Sequence, residues 1–163
     1  MRKIMAYTEW DSPVGRLLIA GDKFGLRLIR FPNRIRKGEP GIHGEENPEP
    51  LREAISQLDA YFEGRCRSFD LNLSPEGKPF QLTVWKALSQ IPYGETLSYG
   101  KLAEKIGKPG AARAVGGAVG RNPLPIILPC HRVIGSDGSL TGFGGGLDRK
   151  RALLSLEKRF TAH

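Results

Sequence analysis

The chain has 163 residues, of which 39% are hydrophobic and 26% are charged, a balance typical of a globular protein and unlike that of a disordered one. No apolar run reaches the roughly 20 residues that a membrane helix needs, and residues 1–10 lack the apolar core of a signal peptide. Two cysteines and three histidines without metal-ligand spacing predict neither a disulfide scaffold nor a structural zinc site. We therefore expect a cytoplasmic protein with reduced thiols and no contact with a membrane.

The formal net charge of +8 is confined to the second half of the chain. Residues 1–77 carry 12 basic and 12 acidic side chains, whereas residues 78–163 carry 13 basic and 5 acidic ones. A basic half beside a neutral half is typical of a protein that binds a polyanion, most commonly nucleic acid. A solvated basic surface without a partner is the alternative, and charge alone does not decide between the two.

The first half begins with three short apolar stretches, at residues 5–10, 15–20 and 26–31. Turn-forming residues separate them, so they predict an antiparallel meander. Residues 34–47 are rich in glycine, proline and charge and predict a loop.

A helix is predicted to follow this loop, opening at Pro48 or Pro50 and ending at Gly64. The alternating residues 69–73 predict one more strand. Residues 74–79 hold two prolines and one glycine, which is typical of a domain boundary. We therefore predict a first domain over 1–74, a linker over 75–79 and a second domain over 80–163.

The second half predicts helices over residues 80–90, 99–106 and 111–121, with Ser98 as the N-cap of the middle one. The last two helices are short and are separated by a turn that contains two glycines. This is the outline of a helix-turn-helix.

The helix over 111–121 consists almost entirely of small residues. Arg113 is the one long cation within residues 111–120. Gly116 and Gly117 lie inside it, where each costs about 1 kcal/mol relative to alanine. One interpretation is close packing against a neighbouring helix. The other is a slim helix that enters the minor groove of DNA, which is about 6 Å wide. In that case Arg113 would fill the gap left by a nucleotide turned out of the duplex.

Cys130 follows a strongly apolar run and a proline-rich approach, and His131 and Arg132 come next. A cysteine is a nucleophile only as the thiolate, so it needs a cation or a base nearby. Adjacent side chains on an extended segment point apart, so we expect His131 to act through water or a turn, with Glu157 as a candidate group to orient it. A buried, inert cysteine is the alternative. Cys66 has no comparable setting and is interpreted as structural.

Four segments together resemble a known family. They are Ile-Pro-Tyr-Gly-Glu-Thr-Leu-Ser-Tyr-Gly (91–100), Ala-Ala-Arg-Ala-Val-Gly-Gly-Ala (111–118), Asn-Pro-Leu-Pro-Ile (122–126) and Pro-Cys-His-Arg-Val-Ile-Gly (129–135). Their order and spacing resemble the O6-alkylguanine-DNA alkyltransferases, also called methylated-DNA–protein-cysteine methyltransferases. The resemblance runs from about residue 80 to residue 157. It implies an α+β fold, with a small antiparallel sheet plus helix of ribonuclease-H-like shape followed by a helical domain with the helix-turn-helix.

The resemblance also implies roles for the reacting groups. Cys130 would accept the alkyl group from guanine O6 in one irreversible step. His131 would activate it through a bound water, and Glu157 would orient His131. Tyr99 would donate a hydrogen bond to the guanine as it leaves.

The remaining roles implied by the resemblance concern DNA and the pocket. Arg113 would occupy the space of the flipped base, and Asn122 would brace the turn before the cysteine. Pro125 would form part of the pocket wall, and the carbonyls of Cys130 and Val133 would recognise the guanine amino group. Other predicted contacts are Ala112, Ala114 and Gly116 with DNA, and Phe143 and Gly144 with the substrate. Gly144 stands where the family often has a larger residue, so its backbone N–H would bind O6 and the open loop would admit alkyl groups larger than methyl.

The implied activity is repair by direct reversal, on double-stranded DNA that contains O6-alkylguanine and, as a further candidate, O4-alkylthymine. No cofactor is expected because the damaged DNA is the alkyl donor. We expect a monomer, with or without cooperative binding along DNA. Three other functions compete: a non-catalytic lesion binder, which would lack the acceptor cysteine; a transcription regulator, which would need base-reading side chains; and a cysteine hydrolase, which would need an oxyanion site.

Overall fold

The computed structural model describes residues 4–34 and 44–161. These residues form two compact units, one that ends at Glu76 and one that begins at Gly77. The break therefore falls inside the segment 74–79, which is rich in proline and glycine. No helix within the described ranges is both long and apolar enough to cross a membrane.

The first unit is built on a four-stranded sheet. Its strands are β1 (Ala6–Ser12), β2 (Gly15–Asp22), β3 (Gly25–Arg30) and β4 (Glu45–Glu46), in the order β3-β2-β1-β4. The predicted antiparallel meander of the first three strands is confirmed. β2 lies between β1 and β3 in the sheet and is buried from Leu17 to Ala20.

The fourth strand corrects the prediction that residues 34–47 are only a loop. β4 pairs with β1 in parallel, so the sheet is mixed and not wholly antiparallel. The Glu45 amide donates to the Met5 carbonyl at 3.0 Å, and the Thr8 hydroxyl donates to the Glu46 carboxylate at 3.0 Å. Two exposed glutamates carry no apolar alternation, which is why the pattern missed them. Residues 35–43 of the predicted loop lie outside the described ranges.

The strand predicted over residues 69–73 is wrong. Only Leu73 forms a bridge, with Leu26 of β3. The Asp70 amide instead donates to the side chain of Gln57 at 2.9 Å, and the Phe69 ring packs on Tyr61. At the other end of the segment the Leu26 amide donates to the Asn72 carbonyl and the Ser74 amide donates to the Leu26 carbonyl, both at 2.8 Å. The pairing with β3 is thus a single bridge, while the start of the segment contacts α1.

The predicted helix of the first unit is α1 (Arg52–Phe62), which follows one 3-10 turn at Glu49–Leu51. Its buried residues recur at helical spacing and pack into the core of the unit; they are Ala54, Leu58, Tyr61 and Phe62. Aromatic rings extend this contact, since Trp10 of β1 lies 6.2 Å from Phe62 between ring centroids.

The second unit contains α2 (Pro79–Leu88), α3 (Tyr99–Lys105), α4 (Ala112–Gly120) and α5 (Leu147–Thr161). α3 and α4 form the predicted helix-turn-helix, and the Ser98 side chain accepts a hydrogen bond from the Lys101 amide as its N-cap. The indole N–H of Trp85 in α2 donates to the Ala118 carbonyl of α4 at 2.8 Å, which ties the two helices together inside the core.

Two strands of two residues each pair between the start of α3 and the segment that contains Cys130. β5 (Leu97–Ser98) runs parallel to β6 (Val133–Ile134), with Leu97 opposite Val133. β5 leads directly into α3, and β6 directly follows the segment of Cys130. The pairing therefore brings the first residue of α3, Tyr99, to the side of the cysteine segment.

Candidate active site

The cysteine segment is held by side-chain and backbone hydrogen bonds before it reaches Cys130. The Asn122 amide donates to the Leu128 carbonyl at 2.8 Å and accepts from the Leu124 amide at 3.0 Å, so its side chain spans the loop. Ile126 lies in this loop with a φ of 76°, a strained conformation for a β-branched residue, and it is 1% exposed. The proline-rich approach is therefore a rigid, packed segment.

Cys130 begins a single 3-10 turn, Cys130–Arg132, and not the extended segment that the sequence suggested. Pro129 has a φ of −77° and a ψ of 68°, which is an inverse γ-turn, and the Cys130 amide donates to the Leu128 carbonyl at 2.7 Å. Three consecutive residues on a 3-10 turn project in three directions. This turn sends His131 and Arg132 toward α5 while all three side chains stay buried.

The Glu157 carboxylate of α5 accepts hydrogen bonds from both His131 and Arg132. One of its oxygens lies 2.6 Å from His131 Nε2, and its two oxygens accept from Arg132 at 2.8 and 3.0 Å. The Gly94 amide donates to it at 3.1 Å. Gly94 has a φ of 81°, and a Cβ there would lie 2.7 Å from Thr161, so only glycine fits this approach.

His131 is neutral in this environment. Burial lowers the pKa of its imidazole below the usual range, and this outweighs the nearby Glu157 carboxylate, which raises it. A carboxylate only accepts, so Nε2 carries the proton that is donated to Glu157. Nδ1 is then an unprotonated acceptor, and this buried atom has no hydrogen-bond partner among the described residues. The geometry is that of an oriented base.

The Cys130 thiol is protonated at neutral pH. Burial raises its pKa to about 11, and this effect exceeds the opposing ones of a hydrogen bond from Asn122 and the charge of Lys150. The residue is 7% exposed. The thiol is therefore shielded from reagents in solution, and its ionisation at neutral pH requires a base.

Lys150 is a site residue that the sequence analysis missed. Its side chain has no exposed surface, and its ammonium donates to the carbonyls of Val133 at 2.6 Å and Thr141 at 2.9 Å. Burial lowers the pKa of the Lys150 ammonium, and this effect exceeds the opposing effect of the nearby Cys130, which raises it. A signal was present: Lys150 and Glu157 both fall on the face of α5 that buries Leu153, at helical spacing.

Arg132 was named only as a neighbour of the cysteine, yet it is a structural centre of the site. Besides its bidentate pairing with Glu157, it donates to the Ile91 carbonyl at 2.6 Å, and its guanidinium lies 5.6 Å from the Tyr93 ring centroid. These contacts join the turn after α2 to the cysteine segment and to α5.

Tyr99 is half-buried at the start of α3, and two other elements border it. Its hydroxyl accepts a hydrogen bond from Thr141 at 3.3 Å. On the other side, a Cβ placed on Gly116 of α4 would lie 3.7 Å from the Tyr99 ring. The phenol therefore stands between the helix-turn-helix and the loop that precedes α5.

The surface of α4 carries the predicted DNA contacts. Arg113 and Ala114 are exposed, as is Gly117, and Ala112 is partly exposed. A Cβ on Gly117 would meet no other atom within 4 Å. Packing within the described residues therefore does not require glycine at position 117, whereas Gly116 lies beside the Tyr99 ring of α3.

The remaining predicted pocket residues lie on the segments that flank these groups. Pro125 and Val133 are buried, whereas Phe143 and Gly144 are partly buried in the loop before α5. The Gly146 amide donates to the Phe143 carbonyl at 2.9 Å, so this loop closes in a tight turn before the helix begins. No group of three potential metal ligands occurs within the described ranges.

Comparison with known proteins agrees with the resemblance. Residues 79–159 match the family model described as 6-O-methylguanine DNA methyltransferase, DNA binding domain, and residues 5–75 match the model of its ribonuclease-like domain. The chain belongs to this methyltransferase family. The resemblance seen in the sequence and the expected α+β fold are both confirmed.

The similarity to individual family members extends over nearly the whole chain. It is 53% identical to a methylated-DNA–protein-cysteine methyltransferase of Methanosarcina acetivorans, covering 94% of this chain and 98% of that one. The relative from Mycolicibacterium paratuberculosis is 52% identical, with coverages of 96% and 94%. A crystal structure of Mycobacterium tuberculosis OGT in complex with DNA superposes with a TM-score of 0.89 at 51% identity, covering 96% of this chain and 94% of that one.

Replacing Glu157 by Gln tests the methyltransferase's buried acceptor. The isosteric amide removes the charge opposite Arg132, and leaving one partner of a buried pair uncompensated costs about 3–5 kcal/mol. We expect the free energy of unfolding, measured by urea denaturation, to fall by that amount. The matched control is Glu104→Gln, since Glu104 is 59% exposed in its pair with Lys101 and should change stability by less than about 1 kcal/mol. Equal effects of the two substitutions would contradict the assignment.

The raised pKa of Cys130 predicts a loss of stability in alkali. Between about pH 9 and 11 the unfolded thiol loses its proton while the folded thiol keeps it, so the unfolded state gains the advantage as pH rises. The free energy of unfolding of the wild type should fall by about 2–3 kcal/mol more than that of Cys130→Ala across this range. Urea denaturation at a series of pH values measures both. Parallel curves for the two proteins would show that the thiol titrates normally.

Proposed function

We propose that this protein repairs DNA by transferring an alkyl group from the O6 atom of guanine to the sulfur of Cys130. The observation that carries the proposal is His131, whose Nε2 is held by Glu157 while its buried Nδ1 is left as an acceptor next to the cysteine turn. Membership of the methyltransferase family supports the same chemistry. A thiolate is the strongest nucleophile among protein side chains and suits displacement at an alkyl carbon.

In the proposed step the Cys130 sulfur forms a bond to the alkyl carbon, and the bond between that carbon and O6 breaks. The electron pair stays on guanine. The thiol proton passes to His131 through a water molecule, and one proton returns to guanine. A thiol and an O6-alkylguanine thus become a thioether and guanine, so the step needs no oxidant, reductant or cofactor. Because a thioether is stable in water, each protein molecule acts once.

Two neighbouring groups counteract the effect of burial and favour ionisation of Cys130 at the moment of reaction. With a pKa of about 11, Cys130 is protonated in the resting protein, and the neutral His131 is able to take that proton. The Lys150 charge and the Asn122 hydrogen bond both favour the thiolate. Tyr99 donates a hydrogen bond to the guanine as negative charge develops on it.

The proposed route to the base is through the minor groove. α4 presents small side chains and the long Arg113, so its backbone can approach the duplex closely while Arg113 fills the space of the extruded nucleotide. Phosphate contacts from the basic half hold the complex, which predicts binding with little sequence preference. Ala112, Ala114 and Gly116 would lie against the groove.

The extruded guanine is proposed to lie against Pro125, Val133 and Phe143. The carbonyls of Cys130 and Val133 would accept from its amino group. Lys150 already donates to Val133, but a carbonyl oxygen has two lone pairs and can accept a second bond. The Gly144 amide would bind O6, and the small residue there favours acceptance of larger alkyl groups.

The proposed partner is double-stranded DNA that contains O6-alkylguanine, with O4-alkylthymine as a second candidate base. We propose that the protein acts as a monomer in the cytoplasm, where DNA binding is either independent or cooperative between neighbours. Asn122 would keep the cysteine segment in place beside the helix-turn-helix during the reaction.

Incubation with a duplex that carries one O6-methylguanine tests the proposal directly. Intact-protein mass spectrometry should show a gain of one methyl group on Cys130 at one equivalent, and Cys130→Ser should gain nothing while binding the duplex with unchanged affinity. The same assay with O6-benzylguanine tests the expectation about larger groups. An unmodified wild-type protein in the presence of excess lesion would refute the proposal.

Replacing Gly117 by Ala is expected to change the stability of the protein and its affinity for DNA in opposite directions. Alanine is the better helix former and meets no neighbour, so the free energy of unfolding should rise by about 1 kcal/mol. The added methyl group stands on the exposed face of α4, so affinity for the duplex should fall several-fold in a fluorescence anisotropy titration.

The control for that experiment is Ser56→Ala, on the exposed face of α1 in the first unit. It also improves helix propensity, but we expect it to leave the affinity for DNA within twofold of the wild type. Unchanged or tighter binding by Gly117→Ala would contradict the proposed position of α4 in the groove.

A further inference from the structure

The Thr141 hydroxyl contacts a residue of the proposed active site, Tyr99. It lies in the loop before α5 and donates a hydrogen bond to the Tyr99 hydroxyl at 3.3 Å. The two residues are 42 positions apart, so the contact joins a loop to the first residue of the helix-turn-helix. Thr141 itself is exposed and packs into no core, so core packing does not explain a threonine here.

The main chain of Thr141 is anchored although its side chain is exposed. Its carbonyl accepts from the ammonium of Lys150 at 2.9 Å, and the same ammonium donates to the Val133 carbonyl at 2.6 Å. Lys150 has no exposed surface. One buried cation therefore holds Thr141 at a set place relative to the strand that follows the reacting cysteine.

The opposite side of Tyr99 is bordered by α4. A Cβ on Gly116 would lie 3.7 and 3.8 Å from two carbons of the Tyr99 ring, an ordinary contact distance. α4 therefore runs beside the ring, and Thr141 contacts the hydroxyl from the loop. α4 and Thr141 thus both lie next to Tyr99. In the proposed function, Tyr99 donates the hydrogen bond to the leaving guanine.

We propose that Thr141 is a positioning residue that orients the Tyr99 hydroxyl for alkyl transfer. With Thr141 as the donor of this hydroxyl pair, the Tyr99 oxygen accepts from the loop and its own proton points toward the guanine. As the bond between the alkyl carbon and O6 breaks and the electron pair stays on guanine, the hydrogen bond from Tyr99 stabilises that charge. Hydrogen bonds in series strengthen one another, so the donor behind Tyr99 increases this effect. The inference rests on the proposed function.

The substitution that tests it is Thr141→Val, which keeps the shape and removes the hydroxyl. In single-turnover experiments with a duplex carrying one O6-methylguanine, the transfer rate at saturating DNA should fall about three- to tenfold, the effect of one neutral hydrogen bond. The dissociation constant, from the concentration dependence of the rate, should stay within twofold. Thr141→Ser should restore the rate because it restores the donor.

A double-substitution cycle ties the effect to Tyr99. In a Tyr99→Phe background the phenolic oxygen is absent, so Thr141→Val should cause no further loss of rate. The matched control is Thr83→Val, since Thr83 is also exposed and its hydroxyl donates to the Pro79 carbonyl within α2 at 3.0 Å. This control should leave both rate and affinity unchanged.

The outcomes separate the inference from the proposed function. If the wild type gains no mass, the function and the inference both fall. If the wild type is alkylated and Thr141→Val reacts as fast, only the inference falls. It also falls if Thr141→Ser does not restore the rate, or if Thr141→Val slows transfer equally in the Tyr99→Phe background. Circular dichroism of each variant confirms that the compared proteins are folded.

Discussion

The buried carboxylate of Glu157 is the constraint on which the second unit depends. It is 1% exposed, and an ion so far from water is stable only when donors surround it. The donors come from His131, Arg132 and the Gly94 amide, which belong to the cysteine turn and to the turn after α2. Satisfying one charge therefore fixes three segments of the chain relative to one another and presents the imidazole in a single orientation.

The same burial sets the state of the reacting groups. Removal from water raises the pKa of the Cys130 thiol and lowers that of the His131 imidazole, so both are uncharged in the resting protein. A protonated thiol resists oxidation, because the thiolate is the form that reacts with oxidants. Lys150 and Asn122 reduce the energy required to form the thiolate without forming it in advance.

The sequence predicted local features well and buried polar contacts poorly. Ser98 as an N-cap and the glycine-rich α4 follow from rules that act within a few residues. The turn at Cys130 was taken for an extended segment because the γ-turn at Pro129 depends on packing around it. Lys150 was missed, and the burial of Arg132 was not predicted, because charged side chains are usually solvated and only their partners, from distant segments, make burial favourable. Residues 69–73 alternate like a strand, but Asp70 bonds to the Gln57 side chain of α1 and Leu73 alone forms a bridge with β3.

The protonation of His131 is the most direct test of this account. Nitrogen-15 chemical shifts of the imidazole in the folded, DNA-free protein should show a neutral ring at pH 7, with the proton on Nε2 and a bare Nδ1, and the ring should titrate below the usual pKa range of histidine. A proton on Nδ1, or an imidazolium at pH 7, would mean that Glu157 does not orient a base toward the cysteine.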